Sequence, residues 1–504
     1  MAKLTFYGGV DEIGGNKILL EEGNTKIFLD FGMSFNSEGK FFEFPLLRPT
    51  NIDDLRKIDA IPEIEGLYKS AGIKVNYNLN GDFSVEGNPE ERKIDAILLT
   101  HGHLDHSGYL GLIRPDIPVC SSSVTKKFLK LRSDINKNWA ADVEQECFNT
   151  LEVNKEKQIG NNILVKRFDV DHSVVGASAF LIYTKDKKIV YSGDFRFHGY
   201  RQKETEYFME TIAKENIDIL ITEGTRLSRN EDTNVFETEE DVFSAACDFT
   251  KNEKGLVIYD ASPADIDRVR TLVRVAKETG RTLVLDDKKA YFILYFNYNE
   301  QKKLIEDLPT IDDFYIYLWR EKLKKTSKRY SAMSHAFMNP FVETFVHGRN
   351  GHQRILLSAQ DTDEKHPRAI KIPDGNIVWG PIGREKILKN SEKYIIYTSN
   401  GPMTLLQLLP VNGKIKGTYI YGKAEPFNEE MEFSYDKLVN WIELAGLNMK
   451  YAHTSGHVSR KDLEEFIKNI NPKCVVPVHT ENADVFNEFC SKVSRPILKK
   501  TLEL

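Results

Sequence analysis

The chain has little of what would mark a secreted, membrane-bound or nucleic-acid-coating protein. Five cysteines occur in 504 residues (Cys120, Cys147, Cys247, Cys474 and Cys490), an odd number with no C-x-x-C pair. That excludes a disulfide framework and a cysteine-rich zinc finger as the organising device, and free thiols in a reducing cytoplasm are expected. No apolar run approaches the roughly 20 residues that span a bilayer, so no membrane partner is expected. The opening Met1–Gly9 stretch reads as a strand and has no signal-peptide core. Net charge is −6, which argues against sequence-blind coating of nucleic acid, although a local basic groove is compatible with it. Internal repeats and low-complexity tails are also lacking.

Length and an ordinary 41% hydrophobic content allow two or three domains with a sizeable core. Short apolar runs separated by glycine open the chain: Leu4–Tyr7, Lys17–Leu20 and Lys26–Asp30 read as strands. Residues 34–95 are less regular and read as a long insertion. The next run, Ala96–Thr100, is followed at once by His101, His103, Asp105 and His106, an H-x-H-x-D-H cluster. In extended backbone His101 and His103 face one side, and Asp105 and His106 must then turn toward a second position. A nitrogen and oxygen mixture of this kind suits borderline or hard divalent cations. A metal site that activates water is the reading that spacing favours.

Further ligand-type residues also stand just beyond strand-like runs. His172 follows Ile163–Phe168, and Asp194 follows Lys188–Tyr191. Glu223 follows Ile217–Thr222, and His479 follows Cys474–Val478. A sheet can gather such ends along one edge. From about residue 226 strands and helices alternate, as in a parallel α/β unit. There Leu256–Tyr259 and Thr282–Leu285 are strands flanking a helix that Ser262 is expected to cap and Gly280 to close. Tyr394–Tyr397 runs into Ser399, Asn400 and Gly401 at another expected helix start. Near the end, His453, Ser455 and His457 precede a helix capped by Ser459.

On these motifs the chain resembles the metallo-β-lactamase superfamily, and within it the β-CASP nucleases of ribonuclease J type. Asp30 matches the family's first motif, the cluster from His101 to His106 the second, His172 the third and Asp194 the fourth. Glu223, His457 and His479 match the β-CASP motifs A, B and C. The resemblance implies an α/β fold, a metallo-β-lactamase αββα sandwich with an inserted β-CASP α/β domain. It implies segments 1–225 and 431–504 for the sandwich and 226–430 for the insert. It implies two divalent metal ions, zinc first and manganese second. His101, His103 and His172 would hold one and Asp105, His106 and His479 the other, with Asp194 bridging. Asp30 would orient the histidines, and Glu223 would orient His457, which would protonate the leaving oxygen. Asp105, Asp194, Glu223 and His457 are thus the catalytic candidates. Ser399, Asn400, Gly401, His453, Ser455 and Arg268 are the candidates for contacting substrate phosphate. The Ser399–Met403 loop departs from the family in lacking an acidic residue before Pro402.

A histidine at motif C resembles the RNA-processing branch. The implied activity is hydrolysis of single-stranded RNA, 5′ to 3′ with internal cleavage as a second mode, in the cytoplasm. Lysines between Arg320 and Arg329, with Tyr315, Tyr317, Trp319 and Tyr330 around them, would suit a single strand, but a solvated helix face beside core aromatics is the reading they favour. A shorter, archaeal-like arrangement without the self-associating C-terminal module is expected, which leaves a homodimer open. The competing readings are a DNA-directed nuclease with the same ligands, a small-substrate hydrolase, and a catalytically inactive RNA-binding paralogue.

Overall fold

A computed structural model of the chain describes residues 1–43, 46–69, 74–77, 83–86, 92–135, 138–144, 147–228, 236–298, 305, 307–318, 345–347, 353–356, 369–372, 377–424 and 429–504. The basic stretch Arg320–Arg329 lies outside these residues, as do Trp319 and Tyr330 of the aromatic cluster around it; Tyr315 and Tyr317 lie in the strand Phe314–Leu318. No helix among the described residues is long and apolar enough to cross a membrane. The chain divides into two compact units, Met1–Glu231 with Gly456–Leu504, and Asp232–Ser455.

The first unit holds two large sheets and the small hairpin Lys74–Tyr77 with Phe83–Glu86. One runs, edge to edge, Thr501–Glu503, Lys3–Phe6, Ile18–Glu22, Thr25–Leu29, Ala96–Leu98, Val119–Ser121 and Phe148–Thr150. The other runs Cys474–Val478, Ile219–Glu223, Lys188–Tyr191, Ser178–Tyr183, Ile163–Asp169 and Glu156–Ile159. Alternation of apolar side chains gives each sheet an inner face. Leu4, Leu20, Ile27 and Leu98 of the first pack there against Val165, Phe180, Ile182 and Val476 of the second. The outer face of the second sheet carries Phe168, Leu181, Val190 and Leu220, against Phe208 and Ile212 of the helix Gln202–Ile212 and Leu463, Phe466 and Ile470 of the helix Arg460–Ile470. Leu463, Phe466, Ile467 and Ile470 recur at helical spacing, so one stripe of that helix is apolar and buries itself on the sheet. Ser459 caps it by accepting from the Asp462 amide at 3.1 Å.

The second unit is a seven-stranded parallel sheet in the order Ile377–Trp379, Phe314–Leu318, Thr282–Asp286, Tyr394–Thr398, Leu256–Ala261, Gly417–Gly422 and Asn448–Tyr451. Two expectations are corrected here. The return to the first unit starts at Gly456, not 431. The strands Gly417–Gly422 and Asn448–Tyr451 pair in parallel, so the helix Glu429–Ala445 between them is a crossover of this sheet. The helix after Leu256–Ala261 begins at Asp267 rather than at Ser262. The Ser262 hydroxyl spends itself on the Ala264 amide, and Asp265 instead accepts from the Arg268 amide at 2.9 Å. Gly280, at φ 66°, ends that helix in the left-handed conformation glycine tolerates.

Candidate metal centre

Six of the predicted residues follow strands whose register sets them on one rim of the first unit. Lys188–Tyr191, Ile219–Glu223 and Cys474–Val478 run parallel, with Glu223 opposite Val478, so Asp194, Glu223 and His479 emerge together. Thr25–Leu29 and Ala96–Leu98 are also parallel, which brings Asp30 beside Thr100 and His101. His172 follows Ile163–Asp169.

Ring nitrogens meet at van der Waals distance in the first group. His101 Nε2 and His172 Nε2 each lie 3.1 Å from His103 Nδ1, and Asp194 Oδ2 is 3.6 Å from the first and 3.9 Å from the second. A second group shares the same carboxylate. Asp194 Oδ2 is 3.1 Å from His106 Nε2 and 3.7 Å from His479 Nε2, and Asp105 Oδ2 is 3.1 Å from His479 Nε2. Each set offers four ligand atoms within 4.8 Å of one another: His101, His103, His172 and Asp194, then Asp105, His106, Asp194 and His479. Asp194, Glu223, His457 and His479 form a third such set.

The opposite edges of the rings fix which nitrogen is free. His172 Nδ1 donates to the Gly456 carbonyl at 2.6 Å, and His106 Nδ1 donates to Asp30 at 2.7 Å. Asp30 is fully buried and also accepts from the Thr100 amide (2.7 Å), the Thr100 hydroxyl (2.8 Å) and the Tyr191 hydroxyl (2.7 Å). Having donated to Asp30, the Thr100 hydroxyl accepts from His101 Nδ1 at 3.0 Å. The Nε2 lone pairs of His101, His106 and His172 therefore point inward, the arrangement a metal ligand needs.

The electrostatics divide the two groups. Burial lowers the imidazoles of His101 and His172, and their histidine neighbours add to it; burial also holds His103 down to about 4 despite Asp105 and Asp194 nearby. These three are neutral donors. Burial opposes a charge on His106 and His479 too, but Asp194 with the neighbouring carboxylates outweighs it, raising His106 well above its ordinary value and His479 to about 9. Asp105 and Asp194 are held below the usual carboxylate range: burial opposes this, and His106 leads the neighbours that overcome it. Asp194 is the point of tension. Both its oxygens are buried, and in the absence of an ion the positive charge they face is the proton that the surrounding carboxylates draw onto His106 and His479. A divalent ion would replace those protons and supply the positive charge that a cluster of buried carboxylates calls for. The donor set, imidazole with carboxylate, fits divalent ions of the zinc type.

Glu223 is buried and accepts at Oε2 from His457 Nδ1 (2.9 Å) and from the Thr225 hydroxyl (2.6 Å), while Oε1 accepts from the Phe195 amide (2.9 Å). The side chain of His457 is 22% exposed, the most open of the site histidines in these ion pairs. The phosphate candidates stand in the other unit. Asn400 caps the helix Gly401–Leu408 by accepting from the Met403 amide, the Ser399 carbonyl accepts from Lys423, and His453 Nδ1 lies 3.1 Å from the Gly422 carbonyl. Arg268 is corrected. It is fully buried, donating to the Tyr259 hydroxyl at 2.7 Å and to Glu239 at 3.1 Å, so its guanidinium holds the fold and has no face for a substrate.

Several contributors escape a reading of the sequence. Gly32 lies so close to Asp105 that a Cβ there would sit 1.6 Å from the Asp105 carbonyl oxygen, and one at Gly14 would sit 2.7 Å from the Asp105 Cβ. Phe31 N donates to His106 O, Met33 N to Leu104 O and Asn16 N to Asp105 O, so the two glycine turns hold the short helix Leu104–Ser107 by its backbone. Buried Lys17 ties those turns together through the Gly15 and Gly32 carbonyls at 2.8 and 2.9 Å. Gly14 is one of the glycines that separate the opening strands, but nothing local shows that it and Gly32 pack on Asp105.

Residues 86–219 match the model of the Metallo-beta-lactamase superfamily, and residues 443–491 that of a Zn-dependent metallo-hydrolase RNA specificity domain. The chain is 21% identical over 491 residues to ribonuclease J of Pyrococcus abyssi, covering 95% of this chain and 90% of the relative. To ribonuclease J of Mycoplasma genitalium it is 25% identical, covering 95% of this chain and 68% of the relative. To ribonuclease J of Methanocaldococcus jannaschii it is 20% identical, covering 94% and 90%. A protein of unknown function from Enterococcus faecalis V583 shares the fold, with TM-score 0.69 and 21% identity over all of both chains.

Proposed function

We propose that this chain, a ribonuclease J-like protein built on a metallo-β-lactamase domain, is a metal-dependent ribonuclease that hydrolyses single-stranded RNA. The observation that carries the reading is the pair of ligand sets that share the buried carboxylate of Asp194. His101, His103 and His172 would hold one ion and Asp105, His106 and His479 the other, with Asp194 between them; zinc fits best and manganese next. Such ions supply positive charge opposite a scissile phosphate and acidify water near neutral pH. The residues do the rest. Asp105, beside Asp194, takes the proton of the attacking water. His457, its Nδ1 held by Glu223, presents Nε2 to the leaving oxygen as general acid. Asp30 keeps His101 and His106 in the tautomers that face the cluster. The α/β unit grips RNA phosphates through Ser399, Asn400, Gly401, His453 and Ser455. The direction is 5′ to 3′, with internal cuts as a second mode, and five free cysteines suit a reducing cytoplasm.

The test is a time course on 3′-labelled and 5′-labelled oligoribonucleotides bearing 5′-phosphate, triphosphate or hydroxyl, beside matched DNA, with zinc or manganese. Mononucleotide release from the RNA 5′ end is expected. Faster turnover of DNA, or no turnover by fully metal-loaded protein, would overturn the reading.

A further inference from the structure

We infer that Thr225 is a positioning residue that joins Glu223 to His479 and so fixes the second metal position from outside. It rests on the reading that Asp105, His106, Asp194 and His479 hold a divalent ion.

Register places the three groups. Glu223 is the last residue of its strand and stands opposite Val478, so the residues that follow the two strands, Gly224–Thr225 and His479, leave the sheet side by side. Gly224 makes that turn against the Phe486 ring, where a Cβ would come within 2.7 Å. His479 turns at φ 53°, and its amide donates to the Gly9 carbonyl at 2.8 Å. The Thr225 hydroxyl ends up buried, 2.6 Å from Glu223 Oε2 and 2.8 Å from His479 Nδ1.

A hydroxyl has one proton, and chemistry decides where it goes. An ionised carboxylate can only accept, so the proton of Thr225 points to Glu223. The Thr225 oxygen then accepts, and His479 Nδ1 must be the donor. That leaves His479 Nε2, 3.1 Å from Asp105 Oδ2, as the nitrogen for the ion. The same Glu223 oxygen takes His457 Nδ1 at 2.9 Å. One carboxylate therefore sets two histidines: the proton donor directly, and the metal ligand through Thr225. Polar groups behind a ligating histidine commonly change metal affinity 10–100-fold when removed.

The experiment compares Thr225→Val and Thr225→Ser with wild type in a chelator-competition titration with zinc. Thr225→Val keeps the shape and removes the hydroxyl. The expected result is a 10–100-fold loss of affinity for the second equivalent and an unchanged first equivalent, with Thr225→Ser near wild type. A general loss of packing would weaken both equivalents and would not be rescued by serine. Should Thr225→Val fail to fold, the wild-type zinc protein carries the test: a slowly exchanging His479 Nδ1–H proton resonance with a through-space contact to the Thr225 methyl is expected. Equal second-equivalent affinity in Thr225→Val, or a His479 protonated at Nε2, overturns this inference while leaving the nuclease reading intact. A wild-type protein with no second equivalent overturns both.

Discussion

Asp30→Asn isolates what one buried carboxylate does for the site. Asp30 sits at φ 57°, a left-handed conformation that asparagine tolerates as well as aspartate, so the backbone has no reason to move. Size and burial are also kept. The hydrogen bonding is what changes. Asp30 accepts from four donors at 2.7–2.8 Å: the Thr100 amide and hydroxyl, His106 Nδ1 and the Tyr191 hydroxyl. Asparagine offers one carbonyl oxygen, which serves two of them, and sets an NH2 against the rest. Bonds to a charged group contribute about 1.5–3 kcal/mol each, and a stranded buried donor costs about 1–3 kcal/mol. The hydroxyls of Thr100 and Tyr191 can rotate away in part, so a net loss of about 3–5 kcal/mol in folding stability is expected. With His106 and His101 no longer held, metal affinity should fall 10–100-fold. Tyr191→Phe removes one donor and leaves three, so a smaller loss of about 1.5–3 kcal/mol is expected from it. Urea unfolding and zinc competition against a chelator read both effects. Asp30→Asn within 1 kcal/mol of wild type and with unchanged zinc affinity would refute the reasoning.

Gly32→Ala should destabilise by about 1–3 kcal/mol or more and weaken zinc binding, because its Cβ would meet the Asp105 carbonyl oxygen at 1.6 Å; thermal melts and zinc titration check it. Lys17 gives a pH signature. Burial pulls its ammonium down to about 8, against the pull of Glu12 and Glu38, while the unfolded chain titrates near 10.5. Between those values the unfolded state binds more protons, so the lysine's cost is present below 8 and is relieved as pH rises to 10.5, by up to about 3 kcal/mol. The stability difference between wild type and Lys17→Met should shift by that amount over the window, in favour of wild type at the alkaline end. His457→Gln should lower RNA turnover about 10²–10⁴-fold with zinc content unchanged, since the residue is the proposed proton donor and not among the proposed ligands.

Legibility in the sequence followed the range of the interactions. The strands were readable because apolar runs and glycine turns are local, and the candidate ligands stood out because each comes after a strand-like run. The residues that hold the ligands were not. Thr100, Thr225 and Tyr191 look like ordinary strand or turn residues, and their partners stand 70, 254 and 161 positions away in the bonds Thr100–Asp30, Thr225–His479 and Tyr191–Asp30. Arg268 shows the reverse failure. It was a phosphate candidate only through its matching position in the family, and only the tertiary fold reveals Glu239 and Tyr259 as its partners inside. The boundary at 431 failed because the helix Glu429–Ala445 does not say which sheet it crosses; that is settled by the pairing of Thr418 with Asn448.

Metal stoichiometry tests the central claim most directly. Protein stripped by chelator, reloaded with zinc and dialysed should carry two ions per chain by mass spectrometry of the element, and Asp194→Ala should lose both to mild chelation because both ligand sets share that carboxylate. One ion or none in the wild type, or full retention by Asp194→Ala, would contradict the account.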